Sequence, residues 1–391
     1  MIDKEDTGLP PLLYLLAAGA FFVGTDVFVV VGLLPEMAKS WEVSVAAAGQ
    51  LMTVFSITYA VLGPVISGVT AGISRCTSLV FALGAMALGN VVCAEADSLA
   101  AAMGGRVLVA IGACQFTPQV AALAAGLVSE GRRGKALSII TGGLVAGSVI
   151  GVPAGVWIAD LFDWQITLWV LAVGSAGVAG GLGMYLQVPS AQGRSSTRER
   201  LASLGERDIR LVLTVTLLAV IAEYGVYTYA GAVFERATHG DGALLGVLLL
   251  AFGIGGMVGN AIAGALMDRP AGRHLVLVSV GGMALNFAFL PFTSRTFVTA
   301  LLAMSVWGVV GWMYAAPQQH RLLRLAGSAG PVAVSMNSSI IYVGAAFGGA
   351  AGGGILGRLD ARWIAFPATV VCVLAVVAEL RFRREDFSRK T

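Results

Sequence analysis

Charge is what this sequence has least of. Only 12% of its 391 residues are Asp, Glu, Lys or Arg, against about 25% in ordinary soluble domains. With 57% hydrophobic residues and a mean hydropathy of +0.84, the chain lacks the polar surface that a soluble fold of this size needs. That excludes a soluble enzyme or binding module and marks an integral membrane protein. Histidine is scarce too: His239, His274 and His320 fall in loops or at helix ends. The four cysteines, Cys76, Cys93, Cys114 and Cys372, are scattered through apolar runs with neither metal-ligand spacing nor a disulfide framework. A net charge of +3 gives no footprint for nucleic acid. No cleavable signal is evident, because the N-terminus is polar and acidic and the first apolar run is already of spanning length.

What is abundant is glycine, with 52 residues, which lets membrane helices approach closely. A bilayer core of about 30 Å needs about 20 helical residues. Twelve apolar runs qualify: 12–34, 45–71, 77–94, 99–127, 136–159, 165–187, 211–234, 242–266, 275–291, 297–316, 333–357 and 362–380. They are continuously apolar rather than alternating, which argues against a β-barrel and for an all-α polytopic membrane protein.

The charges test this division. With both termini in the cytoplasm, the inner segments carry 19 of the 25 basic residues, the outer segments five, and Arg106 alone lies inside a run. Such a bias predicts the orientation. The one long polar connection, "VPSAQGRSSTRERLASLGERDIR" (188–210), divides the chain into an N-terminal half (1–187), a cytosolic linker (188–210) and a C-terminal half (211–391). Its arginines read most simply as an orientation signal, with attraction to lipid headgroups as the alternative. "GVTAGISRCTSLV" (68–80) after the second run echoes "GALMDRPAGRHLV" (264–276) after the eighth. Two six-helix halves joined by such a linker predict alternating access around a central cavity.

Four stretches carry a family likeness. They are "GTDVFVVVGLLPEMAKSWEVSVAAAGQLMTVFSITYAVLGP" (24–64), "GGRVLVAIGACQFTP" (104–118), "GGLVAGSVIGVPAG" (142–155) and "WGVVGWMYAAPQQHRLL" (307–323) with "SMNSSIIYVGAAFGG" (335–349). The sequence resembles the major facilitator superfamily, and within it the bacterial drug:proton antiporter branch, whose members export chloramphenicol, sugars, purines and nucleosides. The resemblance implies two pseudo-symmetric six-helix halves, a bacterial inner-membrane location and a carrier that acts alone. It also implies that Arg106 occupies the helix 4 arginine position, and that Gly147, Gly151, Pro153 and Gly155 form the helix 5 antiporter motif where the halves hinge. The second half is more similar to purine and nucleoside exporters than to other members. The sequence departs from the branch in three places. The helix 1 acid stands at Asp26 rather than at Val27. Gly72 and Ile73 replace the loop 2–3 Asp and Arg, leaving Arg75. The second copy keeps Asp268 and Arg269, has an extra residue before Gly272, and is followed by Arg273. These form the expected cytosolic gate.

Two acids, Asp26 and Glu223, stand deep inside the apolar runs. A charge at the bilayer centre costs about 2.5–3.5 kcal/mol even on lenient scales, so such groups normally face a cavity or a partner. Asp26 lies about 12 Å and Arg106 about 10 Å from the outer ends of their runs. Since family architecture sets helices 1 and 4 side by side, an Asp26–Arg106 pair is expected, either for proton coupling or as a structural ion pair. Glu223, deep in the seventh run, nearly matches Asp26 in the other half. It is either a second coupling acid or a neutral group hydrogen-bonded to a neighbouring helix. Removal from water disfavours a carboxyl's charged form, and coupling requires an acid that exchanges protons near neutral pH.

Helices 7 and 10 line the cavity in this superfamily, which brings Tyr227, one turn from Glu223, and Trp307 and Trp312 into the expected substrate site. Gln115, Gln119 and Asn337 are polar groups on apolar helices, able to bond a substrate or to bridge helices. Tyr and Trp also populate interfacial belts. Gln318 and Gln319 lie nearer a gate. The glycine run 142–155 lacks the Lys-Ser/Thr ending of a phosphate loop. The reading is therefore a proton-coupled efflux antiporter for small, largely hydrophobic molecules. It needs no cofactor beyond the proton gradient, and its partners are substrate, protons and the bilayer. The alternatives are a purine, nucleoside or sugar exporter with the same coupling, or a non-transporting membrane sensor. An enzyme is disfavoured because no paired carboxylates, Ser/His set or metal cluster shares one face.

Overall fold

The computed structural model describes residues 10–184, 207–267, 269 and 274–388. Most of the linker, Asp268 and Arg273 lie outside the described residues. Twelve helices are long and apolar enough to cross a membrane, and we label them α1 to α12 in chain order. The first half holds α1 (Pro11–Ser40), α2 (Val45–Gly63), α3 (Arg75–Ala94), α4 (Leu99–Gly126), α5 (Arg133–Leu161) and α6 (Trp164–Gly183). The second holds α7 (Arg207–Tyr227), α8 (Gly242–Leu266), α9 (Leu275–Thr293), α10 (Phe297–Ala326), α11 (Val332–Leu356) and α12 (Ala361–Phe382). No strand occurs among the described residues.

The sequence-level runs find every helix. Their ends differ where polar residues continue a helix past its apolar run: α1 extends to Ser40. The seventh run is shorter as a continuous helix than expected. It stops at Tyr227, and the chain proceeds through two short helical turns, Ala230–Val233 and Glu235–Thr238.

Packing inside the two halves matches element for element. In the first, α1 packs on α5 and α6, α4 on α2 and α3, and α3 on α6. In the second, α7 packs on α11 and α12, α10 on α8 and α9, and α9 on α12. Adding six to each label of the first set gives the second, the signature of an internal repeat. The halves meet through α2 against α11 and α5 against α8, a pair of contacts that the same operation exchanges.

These cross-half contacts run from mid-depth to the end of the bundle farther from the termini. The Tyr59 and Tyr342 rings stack at 3.5 Å at mid-depth. At the far end Tyr229 packs on Gly49 and donates its hydroxyl to the Gly349 carbonyl at 2.8 Å, and Trp157 Nε1 donates to the Ala243 carbonyl at 3.1 Å. Toward the terminal end of the α5–α8 pair, a Cβ built on Gly134, Gly142 or Gly264 meets nothing within 4 Å.

Candidate functional site

Asp26 and Arg106 meet. Arg106 Nη1 donates to Asp26 Oδ1 at 2.8 Å, and both side chains are 1% exposed. The second carboxylate oxygen accepts from Asn90 Nδ2 of α3 at 2.5 Å. The guanidinium lies 4.6 Å from the Phe55 ring centroid, within cation–π range. Phe55 in turn touches Tyr59 and, across the half boundary, Tyr342, each with centroids 6.2 Å away. Arg106 Nε and Nη2 have no hydrogen-bond partner among the described residues. The arginine is therefore held by one carboxylate and one ring. Protonating Asp26 would remove the charge that holds it, because breaking a buried pair leaves an uncompensated ion. Sequence reasoning missed Asn90 and Phe55. Asn90 is an isolated amide in the apolar run of α3, a signal of the same kind as Asn337.

The glycine motif fixes where Asp26 stands. A Cβ on Gly147 would meet the Phe21 carbonyl, and one on Gly151 would meet Thr25. On Gly155 it would come within 2.6 Å of Val29. Each partner is four residues after the last, so one stripe of α1 lies along one stripe of α5. Thr25 Oγ1 donates to the Gly147 carbonyl at 3.1 Å. A π-helical turn spans Gly147–Gly151, just ahead of Pro153, whose missing N–H interrupts the α-helical ladder.

Glu223 stands apart from that network. It is 8% exposed, and its carboxylate makes no hydrogen bond or ion pair among the described residues. It faces a cavity of about 150 Å³ between α1, α7, α8, α10 and α11, walled by Phe28, Tyr224, Tyr227, Phe252, Trp312 and Tyr314. Gly311 makes room for it, since a Cβ there would lie 3.2 Å from Glu223 Oε1. The two acids therefore differ: Asp26 is sealed against a cation, whereas Glu223 is unpartnered at a cavity wall.

Of the expected cavity residues, Tyr227 and Trp312 line this space. Trp307 does not. It is fully buried behind the wall, with ring centroids 6.1 Å from Tyr227, 5.2 Å from Phe252 and 5.0 Å from Phe287. Gln115 is a bridge instead, donating from Nε2 to Thr70 Oγ1 at 2.8 Å beyond the end of α2. Gln119 and Asn337 are buried away from the cavity. Of the gate residues, Arg75 Nη1 reaches the Ala122 carbonyl at 3.2 Å, a contact within the first half. Arg269 caps α8 with a backbone bond to Leu266. A second buried ion pair was not anticipated: Arg321 grips Glu379 through two 2.8 Å bonds, tying α10 to α12 away from the cavity. No cluster of metal-ligating side chains occurs among the described residues.

The geometry has known counterparts. The family model described as Major Facilitator Superfamily matches residues 16–330. The inner membrane transport protein YdhP of Escherichia coli K12 is 29% identical over 370 residues, covering 94% of each chain. The chloramphenicol resistance protein of Streptomyces lividans is 28% identical over 393 residues, covering 95% of this chain and 99% of its own. Among solved structures, the nucleoside transporter NupG superposes with a TM-score of 0.76 at 15% identity, covering 96% of this chain and 99% of its own. A bacterial homologue of the human lysosomal transporter Spinster, in an inward-facing and occupied conformation, gives 0.75 at 16%, covering 95% and 96%. At such identities the solved structures speak for the fold alone. The model match over most of the sequence, together with the repeat-related helix packing, places this chain in the major facilitator superfamily, a family of membrane transporters.

Proposed function

We propose that the protein is a proton-coupled antiporter of the bacterial inner membrane that exports small, largely hydrophobic molecules. One observation carries this reading: the carboxylate of Glu223, without a partner among the described residues, faces an aromatic cavity that the second half walls together with Phe28 of the first. A buried acid without a partner is expensive in a membrane unless it has work to do. Proton exchange at the wall of a substrate cavity is such work.

Coupling to conformation runs through the other acid. With the termini in the cytoplasm, the halves are closed on the outside and the cavity loads from within. A proton arriving at Asp26 neutralises the carboxylate that holds Arg106. The arginine then loosens from Phe55, which touches Tyr342 of the opposite half. The glycine stripe between α1 and α5 turns that local change into a relative movement of helices. Gly147, Gly151, Pro153 and Gly155 thus act as the hinge, and Arg75, Asp268, Arg269 and Arg273 as the cytosolic gate. Residues 188–210 tether the halves, and one chain suffices for the cycle.

The drug-type reading draws support from the apolar, aromatic wall and from the chloramphenicol resistance relative. The test uses everted membrane vesicles carrying a preformed pH gradient, challenged with amphenicols, lipophilic cations and purine analogues. Antiport predicts that a transported compound discharges the gradient. A gradient that no compound in the panel disturbs, or one that builds up on addition, counts against export.

A further inference from the structure

We propose that the second half, at the end farther from the termini, holds an anionic phospholipid, with its phosphate among three arginines and one acyl chain between α9 and α10. With the termini in the cytoplasm this is a lipid of the outer leaflet. The site is separate from the Glu223 cavity and needs no proton coupling.

The argument begins with where basic residues stand. Of the five in the outer segments, Lys39 belongs to the first half, and Arg236, Arg295, Arg358 and Arg362 belong to the second. Three of these four line one open cavity of about 760 Å³. They reach it from separate connections: Arg236 lies between α7 and α8, Arg295 between α9 and α10, and Arg362 at the start of α12. Arginines on the inner face are explained by orientation, but on the outer face that bias works against them. Their convergence calls for a counter-charge.

The cavity supplies only part of it. Its acids are Glu235 and Asp360, so with His239 neutral the lining keeps a surplus of one positive charge. Asp360 is shared, for Arg236 and Arg362 each reach its Oδ2 at 3.4 Å. Both contacts are long for charge-assisted bonds, and each guanidinium has further N–H donors. Arg295 has no carboxylate partner among the described residues. Its Nε donates to the Pro291 carbonyl at 3.3 Å, and its guanidinium carbon lies 5.2 Å from the Phe292 ring centroid. That leaves its two Nη groups for a ligand. Phosphate oxygens match such a fork two at a time.

A free anion would need nothing more, but the apolar side of the same turn points to a lipid. Thr293 and Thr299 flank the α9–α10 turn at the head of a groove of about 400 Å³. The groove runs between the two helices past Phe289 and Leu302 to Gly282 and Val306. Leu285, Phe289 and Leu302 on its walls are each more than half exposed, so it opens to the hydrocarbon rather than to the bundle interior. Eleven residues separate Gly282 from Thr293, a drop of about 16 Å along a helix. That is one leaflet of a core about 30 Å thick. The α9–α10 turn is thus a rim with a cationic cavity on one side and an apolar groove of leaflet depth on the other. A phospholipid has the same two parts, an anionic head that basic pockets attract and a chain of that reach.

The test is native mass spectrometry of the full-length protein in detergent, titrated with phosphatidylglycerol or with phosphatidylethanolamine of identical chains. Wild-type protein retains the anionic lipid about fivefold better, the factor expected for one surplus charge at a membrane surface. Arg295→Gln, which leaves no acid unpaired, removes the preference. Its unchanged retention of phosphatidylethanolamine shows that the variant is folded. Arg295→Lys keeps most of the preference. Val306→Trp fills the groove and lowers retention of both lipids. Glycerol 3-phosphate, a head without chains, does not displace phosphatidylglycerol. Equal retention of the two lipids overturns the inference, as does a preference that survives Arg295→Gln. Val306→Trp with wild-type retention overturns it as well. Displacement by glycerol 3-phosphate assigns the cavity to free phosphate esters and removes the lipid. None of these readouts uses a pH gradient, so they fail separately from the antiport reading.

Discussion

The rings of Tyr59 and Tyr342 stack with centroids 3.5 Å apart and planes 22° from parallel. One ring belongs to each half of the molecule, so the stack must open or slide when the halves rock. Phe55 touches both tyrosines and lies under Arg106. It forms a path of ring contacts from the Asp26 pair to the opposite half. Phe55→Leu keeps an apolar side chain but removes the ring face. We expect substrate binding to be unchanged and gradient-driven transport to be about two- to thirtyfold slower, since a single aromatic or cation–π contact is worth about 0.5–2 kcal/mol. Parallel binding and vesicle-transport measurements check this. A variant that transports at the wild-type rate removes Phe55 from the coupling path.

The buried pair sets a stability prediction. Asp26→Asn leaves Arg106 charged, buried and without a counter-charge, at a cost of about 3–5 kcal/mol. Asp26→Asn combined with Arg106→Met removes both charges and recovers most of that loss, yet does not restore coupling. Thermal unfolding in detergent follows the first effect and vesicle transport the second. A single variant that melts like wild type contradicts the view that Asp26 holds the arginine charge in place.

The glycine stripe makes a steric prediction. Gly151→Ala places a methyl group against the Thr25 side chain, and overpacking of this kind costs about 1–3 kcal/mol. Thr25 precedes Asp26, so the shift propagates to the ion pair. Gly142→Ala, in open space on the same helix, is the matched control and should be neutral. Both are compared by melting temperature and transport rate. Equal behaviour of the two variants argues against tight α1–α5 packing as the reason for the motif.

At the closed end, Tyr229→Phe deletes the hydroxyl that reaches the Gly349 carbonyl. One hydrogen bond is worth about 0.5–1.5 kcal/mol, enough to shift a two-state equilibrium about two- to tenfold. Thiol labelling of a cysteine introduced at Ala46, against which Gly353 and Gly357 pack, should speed up by that factor. Unchanged labelling places the closing energy elsewhere.

The helices were legible in the sequence because membrane spans are written in continuous apolar runs, and the expected orientation because charge is rationed between loops. The Asp26–Arg106 pair was legible for a related reason: two charges at similar depth in adjacent helices have few alternatives to each other. The cavity wall was harder to read. Trp307 and Trp312 are five residues apart, which turns them about 140° from each other around a helix. One therefore packs behind the wall and the other faces the space, and composition does not separate them. Gln115 shows the same ambiguity, for its amide bridges to Thr70. Asn90, Phe55 and Tyr342 are uncharged, and nothing in their local sequence distinguishes a network member from packing. Their roles emerge only when α2, α3, α4 and α11 are brought together.

The most direct test compares two modes of transport in proteoliposomes made with Glu223→Gln. Uphill export driven by a pH gradient requires the carboxyl to gain and lose a proton. Exchange of labelled for unlabelled uncharged substrate requires only that the site bind and the halves move. The account predicts that the glutamine variant loses gradient-driven export and keeps exchange. Export that still follows the pH gradient in this variant would contradict it.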